Sequence, residues 1–265
     1  MKKLENRFRL LLTALFFAMS AVSGIGSPAA AAPAVPASEQ QRNDMTWVRY
    51  KQTFPGHFVT NGARDAKKVA LTFDDAPDPR FTPQILDILK EQHVRATFFI
   101  VGYRAEDHRE LVRRIHREGH EIGNHSYNHP NYAELPLEQF QNQILRTDRA
   151  IRKIAGYSPR FIRPPYGELR SRQMRWLSEH DYTVVNWDVD SVDWRNTASS
   201  DVLMNIRKTL RPGSIVLQHA GGGDGQDLSG TIAALPALIE ELKEQGFDIV
   251  PLSELLGQPA ARRLK

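Results

Sequence analysis

The sequence predicts an α/β fold in which about seven parallel strands form an incomplete, distorted (β/α) barrel. Two observations predict it. From Val69 onward, short apolar runs typical of strands alternate with stretches of helical periodicity, which indicates a parallel sheet. Polar residues then fall at or just past the ends of the first, third, fourth, fifth and sixth of these strands. A doubly wound open sheet would also satisfy the alternation, but only a barrel brings that many strand ends to one mouth.

Residues 1–32 have the layout of a secretory signal peptide. Basic residues come first, an apolar run follows from Leu10 to Ala21, and small residues cluster from Ala29 to Ala32, near the expected cleavage site. The alternative is an uncleaved membrane anchor, although the apolar run is shorter than the ~20 residues that a span requires. Either way we expect a secreted protein, extracellular or held at the membrane or cell wall through this N-terminal segment.

Residues 33–66 are predicted to form a linker or N-terminal arm, because prolines and a polar stretch from Ser38 to Asn43 show little periodicity. A short ordered piece near Trp47 is the expected exception. The catalytic domain is predicted over residues 67–257, followed by a basic tail over residues 258–265.

Seven strands and six helices are predicted within this domain. The strands are Val69–Phe73, Ala96–Val101, Glu121–Gly123, Phe161–Arg163, Thr183–Asp188, Ser214–Gln218 and Asp248–Pro251. The helices are Thr82–Glu91, His108–Glu118, Leu137–Ala155, Ser171–His180, Asp201–Leu210 and Thr231–Gln245, each with apolar residues near i, i+3 and i+4.

Charge and cysteine content exclude two classes of protein. The formal net charge of +4 falls to +1 without residues 1–32, which hold four basic residues and one acidic residue. Arg262, Arg263 and Lys265 lie in the tail, so the body between is slightly acidic and has no basic, aromatic-rich stripe typical of nucleic-acid binding. The chain contains no cysteine, which excludes a disulfide framework and any thiolate metal site.

Two adjacent acids, Asp74 and Asp75, end the first predicted strand, and Pro77 stops it. Because successive strand residues point to opposite faces, one carboxylate at such an end can bind a metal while its neighbour faces a substrate. An ordinary turn after a strand is the alternative explanation of this motif.

His125 and His129 lie four residues apart, a spacing that places both imidazoles on one side of a helical turn or compact loop. Such pairs also occur as incidental surface residues. Together with Asp75 they would form a site of two histidines and one carboxylate with open positions. That donor set suits a divalent metal, with Zn²⁺ the first candidate and Co²⁺ or a similar ion the alternative, and the open positions favour a catalytic site.

Five short motifs in order resemble those of the polysaccharide deacetylase (NodB-homology) family, carbohydrate esterase family 4. The resemblance covers nearly all of the chain after Lys67. The motifs are Thr72–Asp75, His125–His129, Arg163–Gly167, Asp190–Trp194 and Leu217–His219.

The resemblance implies a role for each matching residue. Asp75, His125 and His129 correspond to the metal ligands, Asp74 to the general base and His219 to the general acid. Arg163 would hold Asp74 ionised, and Asp190 would orient and charge His219. Taken singly, Arg163 could also be a structural ion-pair residue and His219 a core histidine.

The resemblance also implies a substrate site. The backbone N–H of Tyr166 would be an oxyanion donor, and Trp194 and Leu217 would wall the groove for the acetyl group, although both also suit a buried core. Trp187 is predicted to be core. Ala76 departs from the family pattern, where glycine is more common, and its Cβ would restrict a backbone that required positive φ.

The family implies a NodB-like barrel and hydrolysis of N-acetyl groups on an amino-sugar polymer such as peptidoglycan or chitin. O-deacetylation of a xylan-type polysaccharide and a catalytically silent wall-binding scaffold remain the alternatives.

Overall fold

The computed structural model describes residues 46–262, so the predicted signal peptide and residues 33–45 of the predicted linker lie outside the described residues. Within that range the helices are α1 (Trp47–Thr53), α2 (Thr82–Glu91), α3 (Gly102–Asp107), α4 (Arg109–Arg117), α5 (Leu137–Ala155), α6 (Ser171–Glu179), α7 (Ser199–Thr209), α8 (Ser229–Glu244) and α9 (Leu252–Leu256). The strands are β1 (Phe58–Val59), β2 (Lys68–Ala76), β3 (Thr97–Ile100), β4 (Glu121–Asn124), β5 (Phe161–Ile162), β6 (Thr183–Val185), β7 (Val189–Asp190), β8 (Ile215–His219) and β9 (Asp248–Ile249). Among these residues, none of the helices has the length and apolar character needed to cross a bilayer.

The strands form one parallel sheet in the order β1-β6-β5-β4-β3-β2-β8-β7, with β9 paired to the start of β2. Alternate residues of β2 enter two different cores. Leu71 and Phe73 pack in a cluster with apolar residues of the outer helices α2 and α8, whereas Ala70 belongs to a second cluster with Phe99 of β3 and Phe161 of β5. A strand buried on both faces and covered by helices on one side is the arrangement of a β/α barrel, and the predicted fold class is confirmed.

The predicted helices and strands are found near their predicted places, and several short elements were not predicted. Helices α2 and α5 have the predicted bounds. Helices α3 and α9 were not predicted, and α1 was expected only as a short ordered piece near Trp47, because five to seven residues give too little periodicity. The predicted strand Thr183–Asp188 ends early, as β6 at Val185, and a further short strand, β7, follows it at Val189 and pairs with β8.

The ordered piece that was expected near Trp47 is present and extends further than a short piece, because residues 47–64 fold onto the barrel. Phe58 is fully buried and pairs in parallel with Val184 of β6. Asn61 then forms an antiparallel bridge with Ser214, at the start of β8. We call residues 47–64 the arm; it covers the gap between β6 and β8 where a complete barrel would have further strands.

The predicted tail is also partly folded. Ala261 bridges Pro159, and the guanidinium of Arg262 donates to Asp148 Oδ2 at 2.9 Å. Asp148 is only 5% exposed, so Arg262 neutralises a buried carboxylate. Arg262, the basic residue of the described part of the tail, therefore has a structural role. Arg263 and Lys265 lie outside the described residues.

Candidate active site

The predicted site residues meet at the carboxyl-end mouth of the barrel, around a cavity of ≈ 390 Å³. All of them line this cavity except Arg163, which lies beneath it, fully buried. The residues that line it are Asp74, Asp75, His125, His129, Tyr166, Asp190, Trp194, Leu217 and His219, together with Trp187 and a glycine-rich segment at residues 221–223. The barrel explains the convergence, because the ends of parallel strands all open on the same side.

The end of β2 directs both acids into the cavity. Asp75 has φ +63°, in the left-handed region, which turns the chain so that consecutive carboxylates need not point to opposite faces. Ala76 is a fully buried strand residue and is not among the described residues with positive φ. The Cβ of Ala76 therefore imposes no restriction, because the left-handed conformation falls one residue earlier, at Asp75.

Asp75, His125 and His129 form the one group of three metal-binding side chains found among the described residues, with ligand atoms within 4.8 Å of one another. Asp75 Oδ1 lies 3.7 Å from His125 Nε2 and 3.5 Å from His129 Nε2. Two ligands placed ~2.1 Å from one tetrahedral ion would be about 3.4 Å apart, so this spacing fits a zinc-type ion.

The protonation of His125 also fits a metal ligand. Its Nδ1 lies 2.8 Å from the carbonyl oxygen of Arg163, so this nitrogen carries the proton and leaves the Nε2 lone pair facing Asp75. Burial and the neighbouring His129 lower the pKa of His125 to about 3, which keeps the imidazole neutral.

The loop between the two histidines is held by polar contacts that the sequence did not indicate. Asn124 Oδ1 accepts from the backbone N–H of Ser126 at 3.0 Å, and Ser126 Oγ accepts from the N–H of His129 at 2.8 Å. The amide of Asn124 donates in turn to the buried Asp148 at 2.8 Å. These bonds stabilise the left-handed conformations of Ser126 and His129. The sequence motif gave no indication of the bonds, because it identifies residues and not their contacts.

Arg163 supports Asp74 from below. Its Nη1 donates to Asp74 Oδ1 at 2.8 Å and to Thr72 Oγ1 at 2.9 Å. Burial raises the pKa of Asp74, while the guanidinium charge opposes that rise. The other carboxylate oxygen, Oδ2, lies 3.7 Å from His125 Nε2 on the cavity side.

The predicted contact between Asp190 and His219 is wrong, because Asp193 makes it instead. His219 Nδ1 lies 2.7 Å from Asp193 Oδ1, and the other oxygen of Asp193 accepts from the His219 backbone N–H at 2.9 Å. Burial disfavours the charged imidazole, but the Asp193 carboxylate outweighs it and raises the pKa of His219 to about 9.

Asp190 lines the cavity, and its Oδ1 accepts from the backbone N–H of Val192 at 2.8 Å. Val192 has φ +58°, and this left-handed turn carries Asp193 back beneath the end of β8. Both acids belong to the same motif, so only the turn geometry decides which of them reaches His219.

The rim of the cavity is aromatic. Tyr166 is 64% exposed and its ring centroid lies 5.1 Å from that of His129, while Trp194 is 44% exposed. No acceptor for the backbone N–H of Tyr166 is found among the described residues, so this donor is free. Leu217 is nearly buried, and Trp187, predicted to be core, contributes to the wall of the cavity.

Comparisons with known proteins point to one family. The model of the polysaccharide deacetylase family matches residues 61–185. A peptidoglycan-N-acetylglucosamine deacetylase of Bacillus cereus is 40% identical over 218 residues, which is 82% of this chain and 78% of that protein. A chitooligosaccharide deacetylase of a Bradyrhizobium species is 35% identical over 198 residues, 71% of this chain and 90% of that protein.

Solved structures agree with the sequence relatives. The crystal structure of the Bc1960 peptidoglycan N-acetylglucosamine deacetylase in complex with a hydroxamate-type benzamide superposes with a TM-score of 0.79 at 40% identity, over 82% of this chain and 100% of that one. BA3943 of Bacillus anthracis, described as a CE4 family pseudoenzyme, superposes with a TM-score of 0.70 at 30% identity, over 77% of this chain and 70% of that one.

Proposed function

We propose, since this chain belongs to the polysaccharide deacetylase family, that it hydrolyses the N-acetyl groups of an amino-sugar polymer, either peptidoglycan or a chitin-type oligosaccharide. One observation carries the proposal: a candidate metal site, a buried acid and a charged histidine face a single cavity at the barrel mouth. Amide hydrolysis requires an activated water, a stabilised oxyanion and a proton for the departing amine.

Asp75, His125 and His129 would hold the metal, for which Zn²⁺ is our first candidate and Co²⁺ a similar alternative. When bound there, the ion would lower the pKa of its water and polarise the acetyl carbonyl. The neutral state of His125 and the free Nε2 of that ring support this assignment.

Asp74 is the general base in this proposal. Arg163 occupies its Oδ1, so Oδ2 remains free on the cavity side to accept the proton of the attacking water. Burial raises the pKa of the carboxylate, which makes it more basic, and the guanidinium charge of Arg163 opposes that rise.

His219 is the general acid. It is the register partner of Asp74 on the adjacent strand β8, so acid and base approach one substrate from neighbouring positions about 4.8 Å apart. The bond from Nδ1 to Asp193 leaves Nε2–H free to give its proton to the leaving amine.

The remaining wall orients the acetyl group. The free N–H of Tyr166 donates to the developing oxyanion, while Leu217 and Trp194 contact the methyl group and the sugar ring. These contacts suit an acetamide and an acetate ester alike, so the bond that is cleaved must be measured.

Acetate release tests the proposal. Purified full chain is incubated with peptidoglycan, chitooligosaccharides and acetylated xylan, with Zn²⁺ or Co²⁺ and with a chelator. We expect chelator-sensitive release from one of the two amino-sugar polymers, lost in His219→Ala and retained in His180→Ala, whose imidazole is exposed and outside the cavity.

Release from xylan alone would favour an O-acetyl esterase. No release from any polymer, with metal bound, would favour a silent scaffold, an alternative that the solved pseudoenzyme relative makes worth testing.

We also propose that residues 1–32 direct export, on the basis of their basic, apolar and small-residue order. The N-terminus of the mature chain, determined by mass spectrometry, tests this. A start near Ala32 or Pro33 supports cleavage, and an intact chain in the membrane fraction supports an anchor.

A further inference from the structure

A second cavity of ≈ 500 Å³ lies between the arm and the barrel. We call it the arm groove. It is lined by Trp47, Val48, Lys51 and Gln52 of α1, by Thr60 just after β1, and by Trp187 just after β6.

The arm groove adjoins the catalytic cavity, because Trp187 lines both. Strands β1 and β6 are parallel and adjacent, so Thr60 and Trp187 both follow carboxyl strand ends and lie at the mouth of the barrel. A chain-like ligand bound in the catalytic cavity would therefore reach the arm groove by passing over Trp187.

The two indoles are held in fixed positions. Trp47 and Trp187 pack edge to face with ring centroids 5.1 Å apart, and Trp47 Nε1 donates to the carbonyl of Gly167 at 3.1 Å. A Cβ at Gly167 would lie 2.7 Å from Trp47 and 3.1 Å from Trp187, so the glycine allows both rings to pack beside the catalytic loop. A pre-ordered aromatic surface loses little entropy when a ligand binds.

The lining combines apolar and polar groups in the way that a sugar ring requires. The indoles and Val48, which is 67% exposed, offer apolar area for the C–H faces of a pyranose. Lys51, Gln52 and Thr60 supply hydrogen-bonding groups for its hydroxyls. Lys51 Nζ and Thr60 Oγ1 already donate to Asn61 Oδ1, at 2.8 Å and 3.2 Å, and an ammonium and a hydroxyl keep further hydrogen-bonding capacity for a ligand. An apolar peptide would make no use of this capacity.

We propose that the arm groove is a distal subsite for a glycan, and that it binds sugar units of the same polymer whose acetamido group lies in the catalytic cavity. The proposal rests on the proposed function, which supplies the polymer. Its consequence is a preference for long oligosaccharides that resides in the N-terminal arm.

The test compares N-acetylglucosamine dimer and hexamer as substrates of the full chain, with Val48→Asp as the main variant. Val48 is largely exposed near the start of a helix, where a carboxylate is tolerated, so this substitution alters the groove without threatening the fold. Met204→Asp is the matched control, since Met204 is 57% exposed on α7 and lines neither cavity. Trp47→Ala is a second variant that removes the larger surface.

We expect Val48→Asp and Trp47→Ala to raise KM for the hexamer by about threefold to tenfold. Because a distal contact holds substrate and transition state equally, Val48→Asp should not change kcat. This variant should leave the dimer unaffected, and Met204→Asp should affect neither substrate. Trp47→Ala also removes the bond to Gly167 beside Tyr166, so it is compared on the hexamer only. Equal effects on dimer and hexamer, or no effect of Val48→Asp on either, would overturn the subsite.

Calorimetric binding of the hexamer separates this proposal from the proposed function. If the native chain releases no acetate, the proposed function fails and binding alone decides the subsite. Weaker hexamer binding by Val48→Asp than by Met204→Asp then supports the subsite, whereas equal binding by the two, or none by the native chain, overturns it.

Discussion

Asp193→Asn is the substitution that tests most directly how the proposed general acid, His219, is kept charged. The native pKa of His219, about 9, lies well above the ordinary value of 6.5. At about 1.4 kcal/mol per pKa unit, this difference corresponds to roughly 3 kcal/mol of stabilisation of the charged imidazole beyond the cost of its burial. The substituted amide would keep the shape of the side chain and remove its charge, so burial would then be opposed only by the weaker attraction of the Asp75 and Asp74 carboxylates.

We therefore expect the pKa of His219 to fall well below its native value of about 9 in the Asp193→Asn variant. At neutral pH the ring would then be uncharged and unable to protonate the leaving amine, and kcat/KM should fall by about 10²-fold or more. The pKa is measured by NMR titration of the ring proton in the metal-free chain, with the His219 signal assigned by its loss in His219→Gln. Acetate release provides kcat/KM.

Asp190→Asn is the matched control, because it removes a neighbouring carboxylate that does not contact His219. The pKa of His219 should remain near 9 in this variant. The reasoning is refuted if Asp190→Asn lowers that pKa as far as Asp193→Asn does, or if Asp193→Asn leaves it near 9.

Three further predictions follow from contacts elsewhere in the chain. Arg262→Ala should lower the free energy of unfolding by about 3 kcal/mol, measured in urea, because it leaves the Asp148 carboxylate buried and without its cation. Gly213→Ala should destabilise the chain by about 1–3 kcal/mol, since the new Cβ would lie 2.1 Å from a backbone oxygen of the arm. The raised pKa of His219 means that its pairing stabilises the metal-free chain fully below pH 6.5, and that this contribution is lost as pH rises through about 9, which thermal unfolding as a function of pH measures.

Each of these predictions has a matched control. Arg152 is exposed on α5, and Arg152→Ala should leave the unfolding free energy nearly unchanged. Gly246 has φ +75°, close to the +78° of Gly213, but nothing lies within 4 Å of its Cβ position, so Gly246→Ala measures the conformational cost alone. Equal losses of stability in the two glycine variants would contradict the arm contact. For the pH dependence, Asp193→Asn is the control: if its stability falls above pH 6.5 as much as that of the native chain, the assignment to His219 is contradicted.

The short elements of the arm and the folded tail could not be predicted from local sequence patterns. Helix α1 has seven residues and β1 has two, so neither contains enough of a repeat to be recognised, and only a short ordered piece near Trp47 was expected within the predicted linker or arm. Its structure comes from the burial of Phe58 against β6 and from the bridge between Asn61 and Ser214, which lie far apart in the chain. The folded tail is a similar case, because Arg262 pairs with an acid more than a hundred residues earlier.

The sequence by itself determined the alternation of strands and helices, the barrel class and the set of polar residues at its mouth, because hydrophobic periodicity and strand-end position are local properties. Only the tertiary structure decided which acid contacts His219, where the left-handed residue after Asp74 falls, and that the arm brings Trp47 beside Trp187. Those outcomes depend on turns such as that at Val192 and on packing between distant segments. The physical reason is that a side chain's partner is set by the path of the whole backbone, whereas a residue's place in a strand or helix is set by its near neighbours.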